Sequence, residues 1–216
     1  KSYPEFFFFF FLKTGEDSRL ERPIDELRQY EIVRKIIEAL PFSDPLRSAR
    51  HYVKSVLSTI SDCKQAALTP EQVRIIGQEN LQATKELSPS IQNIFSTHKR
   101  MPSKLTVALE LFQSIVTNLE RSTYSLAEEA TSKLNQALLI AEESQSTKPL
   151  TAWKNGWLKK DDSDNWLFGD ILQSEKLISF SNIYEKYQLE LTTAGQYDFN
   201  DMILRTIDAL EQKPEL

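Results

Sequence analysis

Residue types that commonly build catalytic and metal sites are scarce in this chain of 216 residues, which has five glycines, two histidines and one cysteine. The single cysteine, Cys63, excludes an internal disulfide, and with only His51 and His98 beside it the composition argues against a structural zinc site. Few glycines disfavour phosphate-binding loops and favour helices. No stretch reaches the roughly 20 apolar residues that a membrane-spanning helix needs. We therefore expect a cytoplasmic protein with no membrane partner.

Positive charge is also in deficit, because the formal net charge is -5. Free-standing nucleic-acid-binding domains are usually basic, since phosphate contacts supply most of their affinity. Any contact with DNA must therefore come from a local basic patch or from the rest of a larger protein. With 40% hydrophobic and 26% charged residues, the composition is otherwise that of an ordinary globular protein.

The longest apolar run is short: residues 6–11 are all phenylalanine and are followed by Leu12. The run is too short to span a membrane, and an exposed run of this kind would promote aggregation. It is best explained as a buried strand or helix end that other parts of the structure cover. The chain starts at Lys1 without a methionine, so we expect it to be a piece of something longer.

Apolar residues recur at helical spacing almost everywhere, which predicts an all-α fold. Helix starts are predicted at Asp44-Pro45, at a capping box formed by Thr69 and Gln72, and at Asp198. Strand signals are nearly absent. Two long stripes separated by a short polar turn predict an irregular bundle that contains a long helical hairpin. The predicted helical segments are 24–40, 49–63, 70–81, 103–121, 124–142, 177–191 and 199–210, and the last is expected to turn Phe199, Met202, Ile203, Ile207 and Leu210 inward.

Two short motifs near the C-terminus carry a family resemblance. They are Tyr184-Glu-Lys-Tyr187 and, after Gly195, Tyr197-Asp198-Phe199-Asn200-Asp201-Met202-Ile203. This pattern resembles the stretch just before the Walker B strand in superfamily 1 DNA helicases of the UvrD/Rep/PcrA type. There a Tyr-x-x-Tyr helix leads into a glycine and then Asp-Phe-x-Asp with an aliphatic pair.

The N-terminal part agrees with this resemblance. The segment from Lys1 to Phe6 looks like the end of the helix after the family's Thr-Phe-His motif, and Asp25-Glu26 matches the helix that opens the accessory domain. The resemblance implies one helical accessory domain, called 1B, inserted in the first RecA-like motor domain. Its parts would be an arm at 1–23, family-like helices at 24–84 and 173–216, and an enlarged insertion at 85–172. Both chain ends would enter the motor domain as neighbours.

By this resemblance the parent protein couples ATP hydrolysis to DNA unwinding in replication or repair. Its ATP and magnesium would bind outside this chain, which contains neither the GxxxxGK[ST] loop nor any other cofactor motif. The expected partners are single-stranded or forked DNA and the remaining motor domains. The alternative is a helical protein-interaction module without a nucleic-acid role, which the acidic balance and the long hairpin would suit.

Basic residues form two candidate DNA contacts. The first cluster is more simply explained as a solvated loop, and the tryptophans interleaved with the second are more simply explained as a small core of their own under a loop. The acidic residues Asp161, Asp162 and Asp164 weaken the second cluster. The candidate residues are His98, Lys99, Arg100 and Lys104 in the first cluster, and Lys154, Lys159 and Lys160 in the second, beside Trp153, Trp157 and Trp166.

The motif residues also allow two interpretations. Asp198 and Asp201 could form a carboxylate pair for metal or acid–base chemistry, but a helix cap with an acidic first turn explains them more simply. Tyr184 and Tyr187 could stack on bases, or they could be core residues with a solvated hydroxyl. Phe199 completes the motif, and no residue is predicted to be catalytic.

We predict that the purified chain does not hydrolyse ATP, because the sequence offers no phosphate-binding loop. Phosphate release measured with magnesium and single-stranded DNA should stay at the buffer background. Turnover above that background would contradict the accessory-domain interpretation and indicate a hydrolase.

Overall fold

The computed structural model describes residues 22–47, 51–96 and 102–212, and most of them are helical, which confirms the all-α prediction in its coarse form. The phenylalanine run at 6–11 and the cluster at 98–100 lie outside the described residues. The described residues form eight helices and four short strands, namely β1 (Arg22–Pro23), α1 (Glu26–Glu38), α2 (Tyr52–Gln65), α3 (Pro70–Ser96), α4 (Leu105–Leu119), α5 (Ser125–Glu143), α6 (Lys148–Trp157), β2 (Leu158–Lys160), β3 (Trp166–Phe168), α7 (Ile171–Thr193), β4 (Gln196–Tyr197) and α8 (Phe199–Gln212).

The chain divides into two compact units. Unit 1 contains Lys1–Arg74 and Ser179–Leu216, and unit 2 contains Ile75–Ile178. The divisions fall inside α3 and α7. Each unit therefore has its own core, and unit 1 is built from two segments that are far apart in the sequence.

Local capping explains where several helices begin. The Asp25 carboxylate accepts a hydrogen bond of 2.7 Å from the Arg28 N–H at the start of α1. Thr69 and Gln72 form the predicted capping box, since the Thr69 N–H donates to Gln72 Oε1 (2.8 Å) and the Gln72 N–H donates to Thr69 Oγ1 (3.2 Å). Gly195, with φ of +60°, follows the end of α7 as predicted.

The predicted helix start at Asp44 is wrong. Its carboxylate instead holds a turn by accepting from the Leu46 N–H (2.8 Å) and from the Ser179 hydroxyl (2.7 Å), and α2 begins at Tyr52. The sequence also did not predict that α3 continues past Pro89 to Ser96, beyond the predicted segment boundary at 84/85.

The core of unit 1 comes from the apolar faces of α1, α2 and α7. Leu27 fits the helical spacing of apolar residues in the segment predicted at 24–40, but its side chain is 69% exposed. Successive helical residues advance by about 100°, so Leu27 lies on the opposite side of α1 from Ile36. The buried apolar residues include Ile32, Val33, Ile37, Val53, Val56, Ile60, Ile183 and Leu191.

Unit 2 is built on the predicted helical hairpin. Helices α4 and α5 pack together across the turn at 120–124, and their predicted stripes are largely buried. The alanines of α5 let the two backbones approach closely. Side chains from α3 and α6 complete this core, whose members include Leu87, Ile91, Phe95, Phe112, Ile115, Leu119, Ala130, Leu134, Ala141, Leu150 and Trp153.

Each unit also contains one pair of short strands. In unit 1, β1 and β4 are parallel, with Arg22 opposite Gln196. In unit 2, β2 and β3 form an antiparallel hairpin with Lys160 opposite Trp166. The expectation of almost no strands overlooked this hairpin, whose strands are only three residues long and whose turn is polar.

Candidate nucleic-acid interface

The structure places one of the four residues of the first basic cluster. His98, Lys99 and Arg100 lie outside the described residues, so their predicted role in DNA contact stays a prediction. Lys104 is exposed in the position before α4, and its side chain makes no capping bond.

The second basic cluster lies where α6 runs directly into the β2–β3 hairpin. Helix α6 carries Lys154, and β2 carries Lys159 and Lys160. The turn at 161–165 is closed by Asp161, whose carboxylate accepts from the backbone N–H groups of Ser163 (2.9 Å) and Asn165 (2.8 Å). This turn brings Trp166 back opposite Lys160.

Two of the three lysines meet over one indole ring. The ammonium nitrogens of Lys154 and Lys160 lie 4.7 Å and 4.9 Å from the centroid of the Trp166 ring. Neighbouring side chains on a strand point to opposite faces, so exposed Lys159 faces away from this pair. The structure thus assembles Lys154 and Lys160 but not Lys159.

The two ammonium groups influence each other. Partial burial of the Lys154 side chain, and then the nearby charge of Lys160, lower the pKa of Lys154. Lys160 is paired with the Asp164 carboxylate at 2.5 Å, whereas Lys154 has no carboxylate partner among the described residues. Hydrogen bonds from Asn165 hold the pKa of Asp161 below its ordinary value. Asp161 and Asp164 are therefore both engaged within the hairpin.

The tryptophans are packing residues, but they belong to the main core of unit 2 and do not form a small core of their own. Trp153 is buried, and its Nε1–H donates to the Ala130 carbonyl at 2.9 Å. Trp157 stacks between Trp153 and Phe168, with ring centroids 6.5 Å and 6.4 Å away. Stacking of bases on Trp153 is therefore excluded, and a nucleic-acid contact here would have to use the lysines.

The motif residues of unit 1 form a buried ionic cluster around a lysine that the sequence interpretation missed. The Lys64 ammonium, which is 0% exposed, lies 2.6 Å from Asp198 Oδ2 and 2.6 Å from Asp201 Oδ1. The Tyr187 hydroxyl donates to Asp198 Oδ2 at 3.1 Å. Lys64 follows Val56 and Ile60 at steps of four on α2, so its place on a buried face was visible in the sequence.

The same carboxylates cap α8. The Asp201 N–H donates to Asp198 Oδ1 (3.0 Å), and the Asp198 N–H donates to Asp201 Oδ2 (3.1 Å). This reciprocal pair is a capping box, which confirms the helix-cap interpretation. Within the described residues, no group of three or more His, Cys, Asp or Glu side chains is placed to hold a metal ion.

The two motif tyrosines are core residues. Tyr184 is 2% exposed and donates its hydroxyl to the Leu68 carbonyl at 3.2 Å, while Tyr187 is fully buried. Burial, followed by the charge of Asp198, raises the pKa of Tyr187 far above the ordinary 10.0, and burial first of all raises that of Tyr184. Neither ring is accessible to a nucleic-acid base.

The predicted orientation of α8 is wrong. Phe199 is 67% exposed, and three further apolar residues of the helix are also exposed. Helix α8 packs on α2 through Asp201 with Lys64 and through Asn200, whose side-chain amide donates to the Ser61 hydroxyl at 2.9 Å. These polar contacts turn the apolar side outward. We call that side the α8 stripe, and it consists of Phe199, Ile203, Ile207 and Leu210.

Comparisons with models of protein families, with curated proteins and with solved structures found nothing that matches this chain. In the described ranges, no helix is both long and apolar enough to cross a membrane. The arrangement of the chain's own residues is therefore what supports a functional proposal.

We predict that Lys64→Ala lowers the free energy of unfolding by about 3–5 kcal/mol, because it leaves two partly buried carboxylates without their cation. Urea unfolding followed by far-UV circular dichroism measures the loss. Lys54→Ala, at an exposed position of the same helix, should change the free energy by less than about 0.5 kcal/mol. Equal effects of the two substitutions would show that the cluster does not stabilise the fold.

Proposed function

We propose that this chain is the 1B accessory domain of an ATP-dependent DNA helicase of the UvrD/Rep/PcrA type and that it contacts DNA. The observation that carries the proposal is the construction of unit 1. Its two segments come from opposite ends of the sequence, and both carry the family resemblance. They are joined by the Lys64 cluster, which uses the motif residues Asp198, Asp201 and Tyr187.

The pairing of β1 with β4 supports the inserted-domain part of the proposal. The Arg22 N–H donates to the Gly195 carbonyl and the Ile24 N–H donates to the Tyr197 carbonyl, both at 3.0 Å. A domain inserted in a loop of another domain needs its two connections close together. The chain segments at 22–24 and 195–197 lie side by side, so the N-terminal connection enters unit 1 beside the start of α8.

In this proposal the domain braces or contacts DNA near the fork while the motor domains translocate. ATP and magnesium would be bound by motor-domain residues outside this chain. The chain's own contribution would be to hold DNA through backbone phosphates, which requires a local excess of positive charge on an acidic protein.

Lys154 supplies such a charge, because it has no carboxylate partner among the described residues, whereas Lys160 is paired with Asp164. Both ammonium groups lie close to the Trp166 ring, and their mutual repulsion disfavours placing both charges there. A phosphate between them would offset that repulsion and would give Lys154 the anionic partner it lacks among the described residues. Phosphate contact does not require base stacking, so it is compatible with the packing of the tryptophans against the core of unit 2.

A second candidate function, a protein-interaction module without nucleic-acid binding, is favoured by the net charge of -5 and by the long hairpin of α4 and α5. The two functions differ in one measurable property, which is salt-dependent binding to DNA.

Fluorescence anisotropy with labelled forked and single-stranded DNA, measured over a series of salt concentrations, tests the proposal. We expect the chain to bind at low salt. The double substitution Lys154→Gln and Lys160→Gln should weaken binding and reduce the slope of log K against log salt by about 0.8, because the one phosphate held between the two lysines is lost.

The matched control is Lys133→Gln, which removes an exposed charge from α5 in the same unit. It should leave the salt slope nearly unchanged. Absence of binding at low salt would remove direct DNA contact from the proposal, and an equal effect of the control would show that only net charge matters.

A further inference from the structure

The α8 stripe is a continuous apolar surface in unit 1. Its four side chains follow one another at steps of four, four and three residues, which places them on the same side of the helix. Their exposed fractions are 67% for Phe199, 38% for Ile203, 47% for Ile207 and 44% for Leu210. A helix in a globular protein ordinarily buries such a side.

The opposite side of α8 is already engaged, because Asp201 pairs there with Lys64. Asn200, at the edge of the stripe, donates to Ser61. Rotating the helix to bury the stripe would break the ion pair with Lys64. The polar side of α8 is thus fixed against α2, and the stripe has to be covered by something that approaches from outside.

The chain itself contains a suitable apolar segment. Residues 6–12 are six phenylalanines and a leucine, and we call them the Phe segment, which lies outside the described residues. An uncovered run of this composition would promote self-association. Both the Phe segment and the α8 stripe are apolar surfaces, and contact between them would remove both from water.

Chain connectivity brings the Phe segment within reach of the stripe. Arg22 is hydrogen-bonded beside Gln196, only three residues before Phe199. The ten residues from Lys13 to Arg22 can extend up to roughly 33 Å. The stripe is about 17 Å long from Phe199 to Leu210, so all of it can be reached.

The composition of this connection supports the same conclusion. Residues 13–21 are mostly polar or charged and include Gly15, so they can cross a solvated surface. A tethered segment also has a high effective concentration at a nearby surface, which favours it over a second copy of the chain at ordinary protein concentrations.

We propose that the Phe segment docks on the α8 stripe and covers it within the same molecule. The docked segment would close the apolar side of unit 1 next to the β1–β4 pair. This inference does not depend on DNA binding or on the relation to helicases.

Disulfide trapping in the full chain tests the proposal. In a Cys63→Ser background, Phe8→Cys is combined with Ile207→Cys, and mild oxidation is followed by non-reducing electrophoresis and mass spectrometry. We expect a disulfide within one molecule. The control combines Phe8→Cys with Leu189→Cys, which introduces a thiol at a 65% exposed position on α7 in the same unit and should remain largely unlinked.

Two outcomes of the trapping would overturn the proposal. Disulfide-linked dimers in place of the monomeric product would assign the stripe to a second copy of the chain. Equal trapping at Leu189 and at Ile207 would show that the Phe segment has no preferred site.

A second measurement avoids introduced thiols. The double substitution Ile203→Asp and Ile207→Asp should release the Phe segment and accelerate tryptic cleavage after Lys13 at least several-fold, while Leu189→Asp should not. Circular dichroism confirms that both variants keep their helices. An unchanged cleavage rate in the folded stripe variant would also overturn the proposal.

Discussion

The structure of unit 1 depends on one buried cation. The Lys64 ammonium is fully removed from solvent and is neutralised by two carboxylates that lie more than 130 positions later in the sequence. Desolvating these groups is costly, so the arrangement is stable only while all partners are present and hydrogen-bonded. Because the same carboxylates cap α8 and one accepts from Tyr187, the cluster connects helix initiation, core packing and long-range association.

Much of the fold could be predicted because it is local. The hairpin of α4 and α5 follows from apolar periodicity, and the capping boxes at Thr69 and Asp198 follow from side chains that bond to their own helix ends. The sequence-based predictions failed where tertiary contacts determine which side of a helix is buried. Leu27 and Phe199 fit the apolar spacing of their helices, yet both side chains are exposed because the other side of each helix packs against the protein. For α8 the deciding partner was Lys64, which no local pattern connects to Asp201.

In the candidate interface, too, the sequence predicts which residues are close in the chain but not which side chains make contact. The alternation of aromatic and basic residues at 153–160 indicated where lysines and tryptophans lie close together, but it could not show which side chains meet. The β2–β3 register places Trp166 opposite Lys160, and this register depends on a polar turn organised by Asp161. The tryptophans contribute to the core of unit 2, and the ammonium groups of Lys154 and Lys160 lie near the Trp166 ring.

Native-state hydrogen exchange tests most directly whether the Lys64 cluster holds the two segments of unit 1 together. Amide protection is compared between the unchanged chain and Lys64→Met, which keeps the length of the side chain and removes its charge. The account predicts that protection falls together in α2, β4 and α8, while the α4–α5 hairpin keeps its protection. Unchanged exchange in α8, or an equal loss in the α4–α5 hairpin, would contradict it.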